Sequence, residues 1–227
     1  MQTLALEIEM NTSTGAAGTE LEVHGLWAGY GAKDVLEDYE LVISRGESVR
    51  LTGRNGSGKS TLLSCIAGSH KPRAGSILVS GISLMDRPVE AKRLIGSSNG
   101  TCPFPYLTGR ENLEVARRVY GLPAKQVERL LERFAAWESV RSLHDEVRTY
   151  SHGMRQQLAL LLATVHEPPL VLLDEATDGL DKESQADWSR YLNERAESGG
   201  TLIYVAHKDG VASGFPVGRS IKLTRGQ

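Results

Sequence analysis

Two cysteines occur among 227 residues: Cys65 lies in an apolar helical pattern and Cys102 stands beside Pro103, neither with ligands at metal-binding spacing. Both read as reduced and structural, which excludes a disulfide framework or a cysteine-built metal centre. An excess of one charge is missing too. Lys and Arg number 26 against 28 Asp and Glu, a net charge of −2, so no surface is built to coat nucleic acid or anionic lipid. The longest apolar stretches, Leu158 to Val165 and Leu170 to Leu173, fall far short of the roughly 20 residues that span a bilayer. The N-terminus also lacks the basic-then-apolar order of a secretory signal. A soluble, intracellular protein is expected, with any membrane attachment made through a partner. No internal repeat is visible, and the length suits one domain with sub-lobes.

Residues 11 to 19 are small, polar and aperiodic, so residues 1–20 read as a flexible leader and the fold is expected to begin near Leu21. The segments Leu21-Val23, Leu41-Ile43 and Val49-Leu51, separated by turns at Gly31 and Gly46, predict antiparallel strands. Leu62, Leu63 and Ile66 then repeat at helical spacing up to Gly68. After a proline-broken loop, Thr108-Gly109-Arg110-Glu111 has the form of a capping box. It opens a helical lobe continued by Val127, Leu130, Leu131 and Phe134 and by Leu158, Leu161 and Leu162. Leu170 to Leu173 and Leu202 to Ala206 are continuous apolar runs of the kind buried on both faces of a parallel sheet, each followed by ionisable residues. A last strand is expected at Ile221 to Leu223, with no appended regulatory domain after it.

Gly53-Arg54-Asn55-Gly56-Ser57-Gly58-Lys59-Ser60-Thr61 fits the phosphate-loop pattern G-x-x-x-x-G-K-[ST], after a strand and opening a helix. Its glycines permit the positive φ angles that aim successive N–H groups at phosphate oxygens. Lys59 places a cation on the β- and γ-phosphates, Ser60 offers a hydroxyl to Mg²⁺, and the helix dipole adds positive potential. Asp174 and Glu175 close an apolar strand, where open α/β sheets assemble ligand sites. Asp174 is a direct or second-sphere Mg²⁺ ligand, and Glu175 accepts a proton from an attacking water. His207, at another strand end, can bond the γ-phosphate or orient that water, although a strand-end histidine taken alone is a structural residue.

The order phosphate loop, Tyr150-Ser151-His152-Gly153-Met154-Arg155-Gln156, Asp174-Glu175, Asp178-Gly179-Leu180-Asp181 and His207 resembles the ATP-binding-cassette (ABC) ATPases. The likeness covers nearly the whole chain from Leu21 onward. The Tyr-Ser-x-Gly-Met form is similar to the branch of drug, peptide-antibiotic and haem-type exporters. The resemblance implies an α/β phosphate-loop NTPase fold: a mostly parallel core sheet, an N-terminal antiparallel lobe and an inserted helical lobe at about residues 97–165, all within a domain of residues 21–227. It also implies ATP and Mg²⁺ held between two such subunits, identical or not, facing head to tail. In that arrangement Tyr30 stacks on adenine, with a packed strand-end aromatic as the alternative. Ser151 and Gly153 contact the γ-phosphate held by the partner, Asp181 lies at the dimer interface and His207 is a switch. The implied partner is a separate transmembrane permease that brings the chain to the cytoplasmic face of a membrane, with no nucleic acid involved.

Two departures stand out. No glutamine follows the strand before the helical lobe, where Asn99 in Ile95-Gly96-Ser97-Ser98-Asn99 is the nearest carboxamide, and His152 stands where glycine is common. A protonated His152 would add positive charge beside the partner's γ-phosphate; tolerated variation on an exposed turn is the alternative. Two other functions remain open at this point: a soluble ABC clamp on a non-membrane partner, and a degenerate ATP-binding subunit paired with an active one.

Overall fold

The apolar runs at 170–173 and 201–205 form neighbouring strands whose side chains enter two different cores. Leu170, Leu172, Ile203 and Val205 face one cluster, while Val171, Leu173, Leu202 and Tyr204 face the other. Every position is therefore buried, which is why these runs carry no polar alternation.

The computed structural model describes residues 18–31, 33–98, 103–205 and 214–224. Its strands are β1 (Thr19–Tyr30), β2 (Lys33–Ser44), β3 (Ser48–Thr52), β4 (Ala74–Val79), β5 (Ile82–Ser83), β6 (Ile95–Ser97), β7 (Leu170–Asp174), β8 (Thr201–Val205) and β9 (Arg219–Lys222). The helices are α1 (Lys59–Ile66), α2 (Pro88–Arg93), α3 (Gly109–Tyr120), α4 (Ala124–Arg133), α5 (Glu138–Arg141), α6 (His152–Thr164) and α7 (Lys182–Glu197). The strands make two sheets, an antiparallel one in the order β2-β1-β4-β5 and a parallel one in the order β6-β7-β8-β3-β9.

α1 lies between the sheets in the first core, where Leu62, Leu63 and Ile66 are wholly buried. The second core joins the other face of the parallel sheet to α4, α6 and α7 through Phe134, Trp137, Trp188 and Tyr191. The helices α3–α6 form the lobe inserted between β6 and β7. Its entry is the expected capping box: Glu111 N–H donates to Thr108 Oγ1 at 3.1 Å and Thr108 N–H donates to Glu111 Oε2 at 2.8 Å, satisfying two otherwise orphaned donors.

The structure corrects two expectations. Val49-Leu51 is not an antiparallel partner of the preceding strands: β3 pairs in parallel with β8 and β9. Arg50 makes the segment look half-exposed, but Val49 and Leu51 are both 0% exposed, and the turn at Gly46 carries the chain into the second sheet instead of closing a hairpin. There Gly46 N–H donates to Thr201 Oγ1 at 2.9 Å and Leu202 N–H to Glu47 O at 3.0 Å. The first strand also begins at Thr19, before the expected start at Leu21. Its Glu20 is 0% exposed and accepts from Ser80 Oγ and Arg45 Nε, a paired buried carboxylate.

Candidate functional site

The parallel register sets three strand ends side by side: Asp174 is opposite Val205, and Val205 is opposite Leu51. The strands that lead into the phosphate loop and the acidic pair, β3 and β7, therefore end with β8 at the same edge of the sheet, where open α/β folds bind ligands. His207, Asn99 and Cys102 lie outside the described residues.

Within the phosphate loop, Gly53, Gly56 and Gly58 have φ of 143°, 77° and 102°, conformations that L side chains rarely adopt. Gly58 is the left-handed residue preceding α1, and a Cβ there would lie 2.9 Å from Leu36 Cδ2, so β2 packs directly on the helix start. Lys59 is only 7% exposed, and its Nζ donates to Gly53 O at 2.9 Å and Arg54 O at 3.2 Å. The ammonium thus sits inside the loop instead of in solvent. Ser57 and Thr61 are buried, while Asn55, Gly56 and Ser60 are exposed at the mouth.

Glu175 has φ of 49°, a left-handed conformation costing on the order of 1–3 kcal/mol outside glycine. Surrounding hydrogen bonds hold it: Glu175 N–H donates to Val205 O at 3.3 Å, and Asp178 N–H donates to Glu175 O at 3.0 Å. That twist turns the chain off the end of β7 directly after Asp174. Ser98, which carries no motif signal, accepts from Asp174 N–H at 3.3 Å through its hydroxyl. Only the polar run after Ile95 hinted at it. No group of three or more His, Cys, Asp or Glu residues suited to a metal occurs among the described residues. One hydroxyl, Ser60, and one carboxylate, Asp174, instead suit an ion such as Mg²⁺, which draws most of its ligands from water and substrate phosphates.

Tyr30 ends β1 with 60% of its surface exposed, so it is not a packed core aromatic. The His70 ring lies against it, centroids 4.7 Å apart and tilted by 45°. Arg73 braces the turn that follows, through Gly31 O and an ion pair with Asp34 at 3.0 Å.

Ser151 caps α6, its Oγ accepting from Met154 N–H at 3.1 Å. The capped helix begins at His152, earlier than the apolar stripe suggested. Gly153 is seated on the loop that follows Glu175: a Cβ there would fall 2.6 Å from Gly179 O. His152 rests its ring on the same loop, since a Cβ on Gly179 would meet His152 Cδ2 at 2.5 Å. Gln156 Nε2 donates to Ala176 O at 2.9 Å. Asp181 caps α7 and accepts from Ser184 N–H at 2.8 Å. That backbone donor, ahead of the Ser184 hydroxyl, holds its carboxyl below the usual aspartate range. Cys65 is buried and free, with its thiol pushed up to about 11 by burial, an inert structural group.

Residues 36–178 match the ABC transporter family. The chain belongs to this family. The uncharacterized ABC transporter ATP-binding protein YdbJ of Bacillus subtilis (strain 168) is 36% identical to it over 188 residues, 82% of this chain and 60% of YdbJ. The chain thus spans about three-fifths of that relative's length. A solved ATP-binding subunit of an ABC transporter superposes with a TM-score of 0.81 at 34% identity, covering 91% of this chain and 86% of that one. A dimeric ATP-binding cassette in a post-hydrolysis state, bound to ADP and Pi, gives 0.78 at 26% identity, covering 90% and 94%. Family and fold are those that the motif order implied. No helix among the described residues is long and apolar enough to cross a membrane.

Proposed function

We propose that this ABC cassette binds and hydrolyses Mg-ATP as half of a nucleotide sandwich, and that it is the nucleotide-binding subunit of an exporter whose membrane-spanning subunits are separate chains. One observation carries the reading. The chain presents a phosphate loop at the end of its parallel sheet and, separately, an exposed, Ser151-capped helix start seated against the loop after Glu175. These are two halves of a triphosphate site, and they are complementary when two copies pair head to tail. The dimeric cassette with ADP and Pi bound is consistent with that pairing.

In this reading the amides from Gly53 to Thr61, Asn55 and Ser57 among them, cradle the phosphates, while Lys59 exchanges its loop carbonyls for β- and γ-phosphate oxygens. The exposed ring of Tyr30 stacks on the base. Ser60 and Asp174 would hold Mg²⁺, which would supply charge neutralisation at the phosphates. Glu175, fixed by its left-handed backbone, orients the water and takes its proton, and His207 acts on the γ-phosphate. Ser151 and Gly153 of the other copy complete the charge-stabilising shell with backbone donors and the α6 dipole. Asp181 lies on the face that meets that copy.

The net charge of −2 and the absence of a spanning helix among the described residues support attachment to the cytoplasmic membrane face through a permease, with no nucleic acid involved. The Tyr-Ser-x-Gly-Met signature form supports export. The test is Glu175→Gln. With Mg-ATP that variant sediments as a dimer and turns over at least about a hundredfold more slowly, the lower range for loss of a general base. Turnover at the unsubstituted rate removes Glu175 from its role. A spanning protein recovered in stoichiometric amount from detergent extracts supports the permease; its absence favours a soluble clamp.

A further inference from the structure

Three polar residues lie buried where the helical lobe packs on α7: Gln157 on α6 is 3% exposed, Ser184 on α7 is 4% and Ser139 on α5 is 0%. Their hydrogen bonds run in one direction. Ser139 N–H donates to Gln157 Oε1 at 3.0 Å, Gln157 Nε2 donates to Ser184 Oγ at 2.9 Å, and the Ser184 hydroxyl donates to Asp181 Oδ2 at 2.9 Å. A line of donors ending on a carboxylate polarises each successive link and strengthens it. At the other end, the Tyr150 hydroxyl donates to Ser142 O at 2.7 Å and Ser139 O at 3.3 Å, and Tyr150 is the residue directly before Ser151.

Buried polar groups must be satisfied to be tolerated, and apolar side chains of the same size would hold these helices together equally well. Here the Gln157 amide bonds at both its ends and the Ser184 hydroxyl both accepts and donates, with Ser139 joining through its backbone, and a polar line satisfied in this way fixes a geometry. Its two ends are the loop at Asp178–Asp181 and the signature turn. We infer that Gln157 is a positioning residue: it ties the Asp181 loop to the signature turn, so that a displacement of Asp181 is delivered to Ser151 and the first turns of α6. The use of this tie, passing the state of one nucleotide site to the other, rests on the sandwich reading. The tie itself is a property of a single chain and is testable without nucleotide.

Amide hydrogen exchange across the first turns of α6, in the nucleotide-free full chain, reads it directly. The forms compared are the unsubstituted chain, Asp181→Ala, Gln157→Leu and the double variant. Gln157→Leu removes both side-chain hydrogen bonds at similar volume. Ser184→Ala, which removes the middle hydroxyl and leaves the Ser184 N–H cap, is a second route should Gln157→Leu fold poorly. Asp181→Ala speeds exchange of these amides about fivefold or more when Gln157 and Ser184 are present, a coupling in the lower range for one shared network, and less than about twofold when either has been replaced. Equal speeding in all backgrounds, or none with Gln157 present, overturns the tie. Mg-ATP dimerisation of Glu175→Gln with Gln157 intact is followed separately by sedimentation. Its failure counts against the sandwich alone and leaves the exchange result to judge the tie.

Discussion

Gly153→Ala probes the seat of the signature turn on the loop behind Glu175. Gly153 has no positive φ, so alanine is conformationally acceptable, and in the first turn of α6 it gains about 0.5–1 kcal/mol over glycine. Space opposes it. The new Cβ would lie 2.6 Å from Gly179 O, about 0.7 Å inside even the closest C–H···O separations. The two backbones must therefore part. Overpacking of this kind costs about 1–3 kcal/mol, and the low end applies because Gly179 is exposed and can give. The expected net loss is about 0–0.5 kcal/mol, or within about 2 °C in Tm for a domain of this size. Activity suffers more than stability. The displaced loop carries Ala176 and Asp181 and begins at Glu175, and misplacement of a reacting group by about 1 Å costs on the order of a hundredfold in rate. A thermal melt and steady-state phosphate release from ATP, run on the same preparations, should give a small Tm change with turnover reduced about tenfold to a hundredfold. Full turnover would mean that the seat does not position the catalytic loop. A fall of more than about 8 °C would mean that the loop cannot give and that its rigidity was underestimated.

Lys59→Ala leaves Gly53 O and Arg54 O without their donor and removes charge-assisted bonds worth about 1.5–3 kcal/mol, so ATP should bind about tenfold to a hundredfold more weakly; an unchanged Kd in a fluorescent-nucleotide titration refutes this. In Gly96→Ala the Cβ would meet Ala163 O at 2.1 Å and Pro168 Cγ at 2.6 Å. Both β6 and α6 are packed there, so the cost belongs at the top of the overpacking range, about 3 kcal/mol, and a urea melt within about 1 kcal/mol of the parent would contradict it. His166 is pushed down from 6.5 to about 4, chiefly by burial, while stacked on Tyr120 with centroids 3.9 Å apart. The folded state binds this proton less readily than the unfolded chain, so its contribution to stability is complete above about pH 6.5 and is lost as pH falls toward about 4. His166→Phe should flatten the pH dependence of urea unfolding within that window, and an unchanged slope would remove His166 as its source.

Legibility in the sequence followed the range of the physics involved. The phosphate loop and the capping box at Thr108 and Glu111 are local constructions in which residue type and spacing dictate backbone geometry, and both are readable. The acidic pair could be placed because a fully apolar strand ending in ionisable residues marks a sheet buried on both faces. Strand pairing is non-local. Nothing in Val49-Arg50-Leu51 says that its neighbours are β8 and β9, about 150 residues away, because a three-residue alternation fits either kind of sheet. β4 and α7 carried no signal strong enough to place them, and Ser98 and Gln157 belong to no motif. Their roles arise only where α6, α7 and the end of β7 converge.

That convergence bears on how the two ends of one cassette act together. Gly153 against Gly179 O, Gln156 on Ala176 O and Gln157 on Ser184 fasten the first turns of α6 to the chain between Glu175 and α7. One contact is steric and two are hydrogen-bonded, and they lie at positions 153, 156 and 157 of α6, a spacing that shares one face of the helix. A helix start held at both ends of one turn along a single face resists tilting and sliding against the loop, so the loop and the signature turn move as one block. In the proposed sandwich the signature turn touches the partner's nucleotide, whereas the loop follows the residue that acts on the chain's own. A rigid block spanning both makes the geometry of one site a function of occupancy at the other. In that sandwich, cooperative hydrolysis would require no long-range conformational change inside the cassette: coupling would run through contacts between Ser151 and Ser184, and softening any one of them should lower cooperativity, read as the Hill coefficient of ATP turnover, before it lowers affinity for ATP.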